Sequence, residues 1–74
     1  MDARLYDILT DIFQTDAISP DTSFEDLYAD LQDMQEALMA VEEEFDVQVD
    51  LADAQSLRTV AELEEYIERR RHTL

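Results

Sequence analysis

The side chains in this sequence that could perform chemistry are almost all carboxylates. The chain carries 20 Asp and Glu residues against 5 arginines, with no Cys and a single His, His72. Hydrolysis and group transfer need a nucleophile beside a general base, and the sequence offers no such pair. It therefore predicts a protein that is not an enzyme.

The acidic residues also fail to form a metal-binding motif. Asp46, Gln48 and Asp50 stand at the first, third and fifth positions of a calcium-loop pattern. Leu51 and Leu57 occupy the places where such a loop needs a glycine and a bidentate glutamate. Without Cys there is no thiolate site either. We expect no metal ion.

The charge balance restricts the partners of this protein. The formal net charge is −15, and no basic residue lies between Arg4 and Arg58. Nucleic acids and anionic membranes bind through Lys and Arg, so both are poor partners. A basic protein surface is the natural expectation.

No apolar run is long enough to span a bilayer and no signal peptide is visible, so we expect a cytoplasmic protein.

Many of the acids lie on one amphipathic stretch, from Phe24 to Asp46. Asp30 can cap a helix there by accepting from its first free N–H groups, and Asp33 suits the helix dipole. The other faces carry acids and no cation. The apolar residues recur in steps of three and four, which predicts an α-helix. These residues are Leu31, Met34, Leu38, Val41 and Phe45.

The flanking segments predict three further elements. A core-facing helix is expected over about Asp2 to Gln14, followed by a loop that Ile18 and Phe24 pin to the core. Val47 and Val49 should point inward from an extended connector, before a single helical turn near Leu51 to Gln55. A capping box, Thr59 with Glu62, starts the last helix, and three arginines end it. All of residues 1–74 should form one domain.

Two runs of the central stretch resemble the acyl carrier protein family. The family pattern is roughly E-D-L-G-x-D-S-L-D, and residues 25–33 read EDLYADLQD. The family helix ends in E-E-E-F, and residues 40–46 read AVEEEFD, in register without a gap. The likeness extends over nearly the whole chain. It implies an all-α, acyl-carrier-protein-like four-helix bundle, with three main helices, one short helix and a long first loop.

The position that matters most for the family's function departs from its pattern. In the family, the serine after the aspartate carries the 4′-phosphopantetheine arm, and Leu31 stands there in this chain. Tyr28 replaces the family's glycine and Gln32 its next leucine. Ser23, the nearest serine, is predicted to be a local helix cap. These changes together indicate a lost site, so we expect no cofactor.

The resemblance also implies a docking surface, because the family presents the acids of this helix to a basic patch on enzyme partners. We therefore expect a non-catalytic interaction protein that binds a synthase, an acyltransferase or another carrier-recognising enzyme of fatty-acid or polyketide-type synthesis. Leu31 could fill the mouth of the family's acyl pocket. By position, the docking surface comprises Asp30, Leu31, Asp33, Glu36, Met39, Val41 and Glu42.

Two alternatives remain open at this stage. The chain could be an acyl carrier protein whose serine was lost through an artificial change, although the Tyr28 and Gln32 departures disfavour a single substitution. It could instead be an acidic inhibitor, of the immunity or antitoxin type, that mimics a nucleic acid. Charges that track a duplex backbone should then span several faces of the protein.

Overall fold

Four α-helices account for the regular structure of residues 1–27 and 30–71, the part of the chain that the computed structural model describes. No strand occurs within those residues. The expected all-α architecture, with one short helix and a long first loop, is confirmed. No helix in the described ranges is long and apolar enough to cross a membrane. The helices are α1 (Ala3–Phe13), α2 (Leu31–Phe45), α3 (Leu51–Ala54) and α4 (Val60–Arg71).

Aspartate residues fix where three of these helices begin. Asp2 accepts from the backbone N–H of Arg4, and Asp30 accepts from that of Asp33, each at 2.8 Å. Asp50 caps α3 in the same way through Ala52. Each bond satisfies a donor that the first helical turn leaves free. The caps predicted at Asp2 and Asp30 are therefore confirmed.

Helices α1 and α2 end in left-handed residues that are not glycine. Gln14 and Asp46 both have a φ of 55°. This conformation crowds the Cβ atom of an L-residue, and glycine normally fills the position. The sequence contains no glycine at all. The strain at Gln14 should be the larger, because aspartate tolerates the left-handed region better than glutamine does.

Replacing Gln14 by glycine is expected to stabilise the protein by roughly 1 kcal/mol, since it relieves this crowding. Denaturant unfolding of Gln14→Gly would measure the gain. Glu43→Gly is the matched control, because Glu43 lies exposed inside α2 and glycine there should cost about 1 kcal/mol. Equal destabilisation by the two variants would contradict the expectation.

One cluster of apolar side chains packs at the centre of the fold. Leu5 and Leu9 of α1 are completely buried, as are Val60 and Leu63 of α4. Ile18 and Phe24 reach the same cluster from the first loop, which confirms their predicted role. Val47 and Val49, which were predicted to face inward, are partly buried against the cluster, and so is Leu27 of the first loop.

The long first loop is fastened to the start of α4. The backbone N–H of Phe24 donates to the carbonyl of Arg58 at 2.9 Å, and that of Val60 donates to Thr22 at 3.0 Å. The Thr59 hydroxyl accepts from the N–H of Glu62 as predicted. The Glu62 carboxylate in turn accepts from that hydroxyl at 3.2 Å. These bonds hold the loop that leads into α2.

Arginine side chains cover the other end of α2. The guanidinium of Arg4 lies 4.5 Å from the centre of the Phe45 ring, and that of Arg71 lies 5.8 Å from it. A hydrogen bond from Arg4 lowers the pKa of the Asp2 carboxyl, and the same bond raises the pKa of Arg4. These contacts join α1, α2 and α4 beside the end of the acidic helix.

Candidate docking surface on helix α2

Helix α2 divides its side chains between the core and the surface. It buries Ala37, Leu38, Val41 and Phe45 against the rest of the fold. The acids and Met39 consequently lie on the remaining faces. Helix α2 therefore presents an acidic surface that contains two large exposed apolar side chains, Leu31 and Met39.

Six of the seven residues predicted for the docking surface, all except Val41, are accessible on α2 or at its cap. Asp30, Glu36 and Met39 are exposed, and Met39 retains 65% of its accessible surface. Asp33 and Glu42 are half-buried. Charges placed this way along a helix can meet a basic partner without rearrangement of the fold.

Val41 does not lie on this surface, which corrects its assignment. Its side chain is 0% exposed. It follows Leu38 by three positions and precedes Phe45 by four, so all three point to the same side of the helix. That side packs into the core cluster. Val41 thus contributes to stability, and no partner can contact its side chain in this fold.

Leu31 is accessible, as its predicted place on the docking surface requires, but it does not belong to the buried stripe that its spacing predicted. Its side chain is 54% exposed. It is the first residue of α2, directly after the Asp30 cap. The buried positions of the helix begin only at Ala37. Leu31 therefore lies at the surface with the other accessible residues predicted for docking.

Glu42 lies on this surface and also accepts a hydrogen bond that stabilises the fold. Its Oε2 atom accepts from the backbone N–H of Val49 at 2.9 Å. This bond ties the connector of residues 46–50 to α2. Because a carboxylate can accept several hydrogen bonds, Glu42 can also pair with a cation of a partner.

Tyr66 of α4 holds the same connector from the other side. Its hydroxyl accepts from the N–H of Asp50 at 3.3 Å and donates to the Asp53 carboxylate at 3.0 Å. Arg70 adds a bond from its Nε atom to the Gln48 carbonyl. The position of α3 therefore depends on side chains of α2 and α4.

Removing the Tyr66 hydroxyl is expected to loosen α3. Tyr66→Phe should lower the free energy of unfolding by about 1–2 kcal/mol, because the Asp50 N–H loses its partner. It should also speed hydrogen exchange at that amide. Tyr6→Phe is the control, since the Tyr6 hydroxyl donates to an exposed loop carbonyl, that of Asp16. A larger effect at Tyr6 would contradict this assignment.

A shallow groove runs beside α2, and sequence reasoning missed it. Leu38 and Met39 of α2 form one wall, and Val49 and Leu51 form the other. Leu51 keeps 38% of its surface exposed. Its place as the first apolar residue after the Asp50 cap was visible in the sequence. Its position opposite Met39 was not, because the two residues are twelve positions apart in the chain.

The described residues contain no group of three or more His, Cys, Asp or Glu side chains arranged to hold a metal ion. Tyr28 and His72, which the sequence analysis singled out, lie outside the described residues.

A helical bundle of this size, with an acidic second helix facing outward, resembles a small carrier domain. Residues 3–67 match the family described as "Phosphopantetheine attachment site". The acyl carrier protein of Bdellovibrio bacteriovorus is 41% identical over 56 residues, which cover 74% of this chain and 72% of that protein. The acyl carrier protein of Solidesulfovibrio magneticus is 37% identical over 71 residues, covering 92% and 91%. The chain belongs to the acyl carrier protein family, whose members are carriers and not enzymes.

The start of α2 lacks the atom through which the family's prosthetic group is attached. A phosphopantetheine arm is joined through a phosphate ester, which needs a hydroxyl oxygen on the protein. Leu31 follows the Asp30 cap and has only a hydrocarbon side chain, so this residue does not fit covalent attachment. Ser23 is half-buried, and its Oγ atom accepts from the N–H of Asp26 at 3.0 Å. That bond gives Ser23 the local capping role predicted for it.

Proposed function

We propose that this protein is a member of the carrier family that acts by docking, without a prosthetic group. Its α2 surface binds the basic face of a partner protein. The partner is an enzyme of fatty-acid or polyketide-type synthesis, or another protein that recognises carrier domains. The observation that carries the proposal is the hydrocarbon side chain of Leu31 at the start of an otherwise family-like helix.

The charge distribution supports docking as the activity. A surface whose charges are all negative raises the rate of encounter with a positively charged partner and disfavours anionic competitors. The exposed Met39 lies among the acids of α2 and adds an apolar contact. Apolar side chains surrounded by charges are typical of binding surfaces, in which a few residues supply most of the energy.

The class of partner is inferred from the family. The relatives that match most of this chain are named acyl carrier proteins, and carriers of this family deliver acyl groups to synthases and acyltransferases. A chain that keeps the docking helix and lacks the attachment hydroxyl would compete with other carriers for binding to those enzymes, or would occupy the face of the enzyme on which carriers dock. Either role needs recognition of the helix and not transfer of a thioester.

Reversing one charge on α2 is expected to weaken capture of that partner strongly. The wild-type protein, immobilised and exposed to an extract of its source cell, should retain a synthase or acyltransferase identified by mass spectrometry. Glu36→Arg should reduce recovery at least about tenfold, since like charges now face each other. Asp11→Arg makes the same change on the exposed face of α1 and should leave recovery unchanged.

Other outcomes of this capture would reject the proposal. Equal losses in both variants would mean that net charge alone, and not the α2 surface, drives binding. Recovery of a nuclease or toxin, displaced by duplex DNA, would favour the acidic-inhibitor alternative.

A further inference from the structure

Most arginines of this acidic chain are gathered at one end of the bundle. Arg69, Arg70 and Arg71 stand in the last turn of α4. Arg4 belongs to α1, yet its guanidinium and that of Arg71 lie 4.5 and 5.8 Å from the centre of the Phe45 ring. Phe45 is the last residue of α2. These four arginines, here called the arginine end, therefore lie beside the C-terminal end of the acidic helix.

The helix dipole explains only part of this grouping. Cations are favourable at the C-terminal end of a helix, so the three arginines of α4 suit their place. Arg4 is the second residue of α1, where the dipole disfavours a cation. Its bonds to Asp2 offset that cost, but a neutral side chain would avoid the cost altogether. The position of Arg4 is therefore explained by what lies beside α1 and not by α1 itself.

The arginine end stays open to a partner although its side chains make contacts within the fold. Arg4 pairs with Asp2, and Arg71 pairs with Glu68. The side chains of Arg4 and Arg71 nevertheless keep 45% and 40% of their accessible surface. Arg70 is exposed as well. A guanidinium has several N–H donors in a fixed fork, and the outward ones match the two oxygens of a carboxylate.

The acids of α2 do not by themselves define a direction along the helix. Asp30, Asp33 and Glu36 lie in its first part, and Glu43 and Glu44 are exposed in its last part. A basic patch could therefore accept α2 in either direction at a similar electrostatic energy. The arginine end breaks this symmetry, because it adds cations beside the C-terminal end of the helix.

The length of α2 lets a partner sense its two ends separately. The helix has 15 residues, so about 22 Å separate its ends. The screening length at physiological ionic strength is about 8 Å, less than half that distance. The partner surfaces that face the start of α2 and the arginine end can therefore carry opposite charges, each acting mainly on its own neighbours.

We propose that the arginine end contacts a group of carboxylates on the partner, next to the basic patch that binds α2. Arg4 and Arg71 form the pairs, and with the acids of α2 they fix the direction in which the helix lies on the partner. In the reversed direction those carboxylates would face Asp30 and Asp33, and like charges would repel. The inference rests on the proposed docking function and adds the direction of docking to it.

Carbodiimide cross-linking tests this contact, since it joins an amine to a carboxylate only where the two groups touch. The five basic side chains are all arginine, so the wild-type chain has no lysine amine. Arg4→Lys and Arg71→Lys each introduce one such amine and keep the charge. The probe is the enzyme that the immobilised wild-type protein retains, and peptide mapping by mass spectrometry identifies the joined residues.

Both variants should form links from the introduced amine to Asp or Glu residues of the enzyme. Arg58→Lys is the matched control, because Arg58 is exposed and precedes the start of α4, a whole helix length away from Arg71. It should form no such link above the background of the wild-type chain. Circular dichroism of each variant checks that its helices are retained.

The acids of α2 report on the docking function in the same experiment, because they can link to lysines of the enzyme. If those links form and the amines introduced at Arg4 and Arg71 link no more than that of Arg58→Lys, the inference is overturned while docking through α2 stands. If Asp30 links to two separate groups of lysines, the helix binds in both directions and the inference is also overturned. If no enzyme is retained, or no acid of α2 is linked, the docking function itself is overturned.

Discussion

The intact mass of this protein is expected to stay unchanged after incubation with coenzyme A and a broad-specificity phosphopantetheinyl transferase. The transferase moves a phosphopantetheine group to a hydroxyl oxygen, and Leu31 has none. Leu31→Ser should gain the mass of the arm, because residue 31 is 54% exposed and a hydroxyl there would be open to the transferase. Mass spectrometry of the undigested proteins would measure both outcomes.

Leu31→Ala is the control for this experiment, since it removes the leucine without supplying an oxygen and should gain no mass. Little loss of stability is expected in either variant, because the side chain is outside the core and Asp30 continues to cap the helix. A gain of mass by the wild-type protein would disprove the proposal that it acts without the arm. If Leu31→Ser stays unmodified, the changes at Tyr28 and Gln32 also contribute to the lost site.

The main features of the fold could be predicted because their causes are local. Asp2 and Asp30 precede apolar residues at helical spacing, and each is observed as a cap. Ile18 and Phe24 are isolated apolar residues in a polar loop, and both are buried. In each case one residue and its near neighbours carry the physical signal, so no knowledge of the rest of the chain was needed.

The predictions that were wrong concern residues whose burial depends on a neighbouring helix. Leu31 and Val41 both fit the apolar stripe of α2 by spacing, yet one is exposed and the other completely buried. The spacing gives a direction around the helix axis and does not say how far along that axis the core extends. Val41 was also assigned to the docking surface by its position in the family pattern, and that pattern contains no information on burial.

The groove could not be predicted because it is made by residues that are distant in sequence. Met39 and Leu51 face each other only because the connector folds back along α2. The bond from Val49 to Glu42 that fixes this course joins residues seven positions apart. The sequence assigned Glu42 to the docking surface and gave no sign of this bond. A side-chain bond to a distant backbone group leaves no mark in composition or periodicity.

Salt is expected to stabilise this protein strongly. With a net charge of −15, the folded chain repels itself, and its extents of 34 × 24 × 19 Å keep those charges close. Two like charges 10 Å apart in water repel by roughly 0.4 kcal/mol, and many such pairs act together. The screening length is about 30 Å at 0.01 M salt, comparable to the whole molecule, and about 3 Å at 1 M.

We therefore expect the free energy of unfolding to rise by about 2 kcal/mol between these salt concentrations, which corresponds to a Tm increase of roughly 8–16 °C for a domain of this size. The ion pairs of Arg4 with Asp2 and of Arg71 with Glu68 are solvent-exposed, so screening them costs little. Thermal unfolding in sodium chloride and in potassium chloride should give the same increase, because screening depends on ionic strength and not on the cation. A Tm that stays constant or falls would mean that attractive pairs outweigh repulsion. The acids of α2 would then be engaged within the fold, and the surface on which docking depends would be less available to a basic partner.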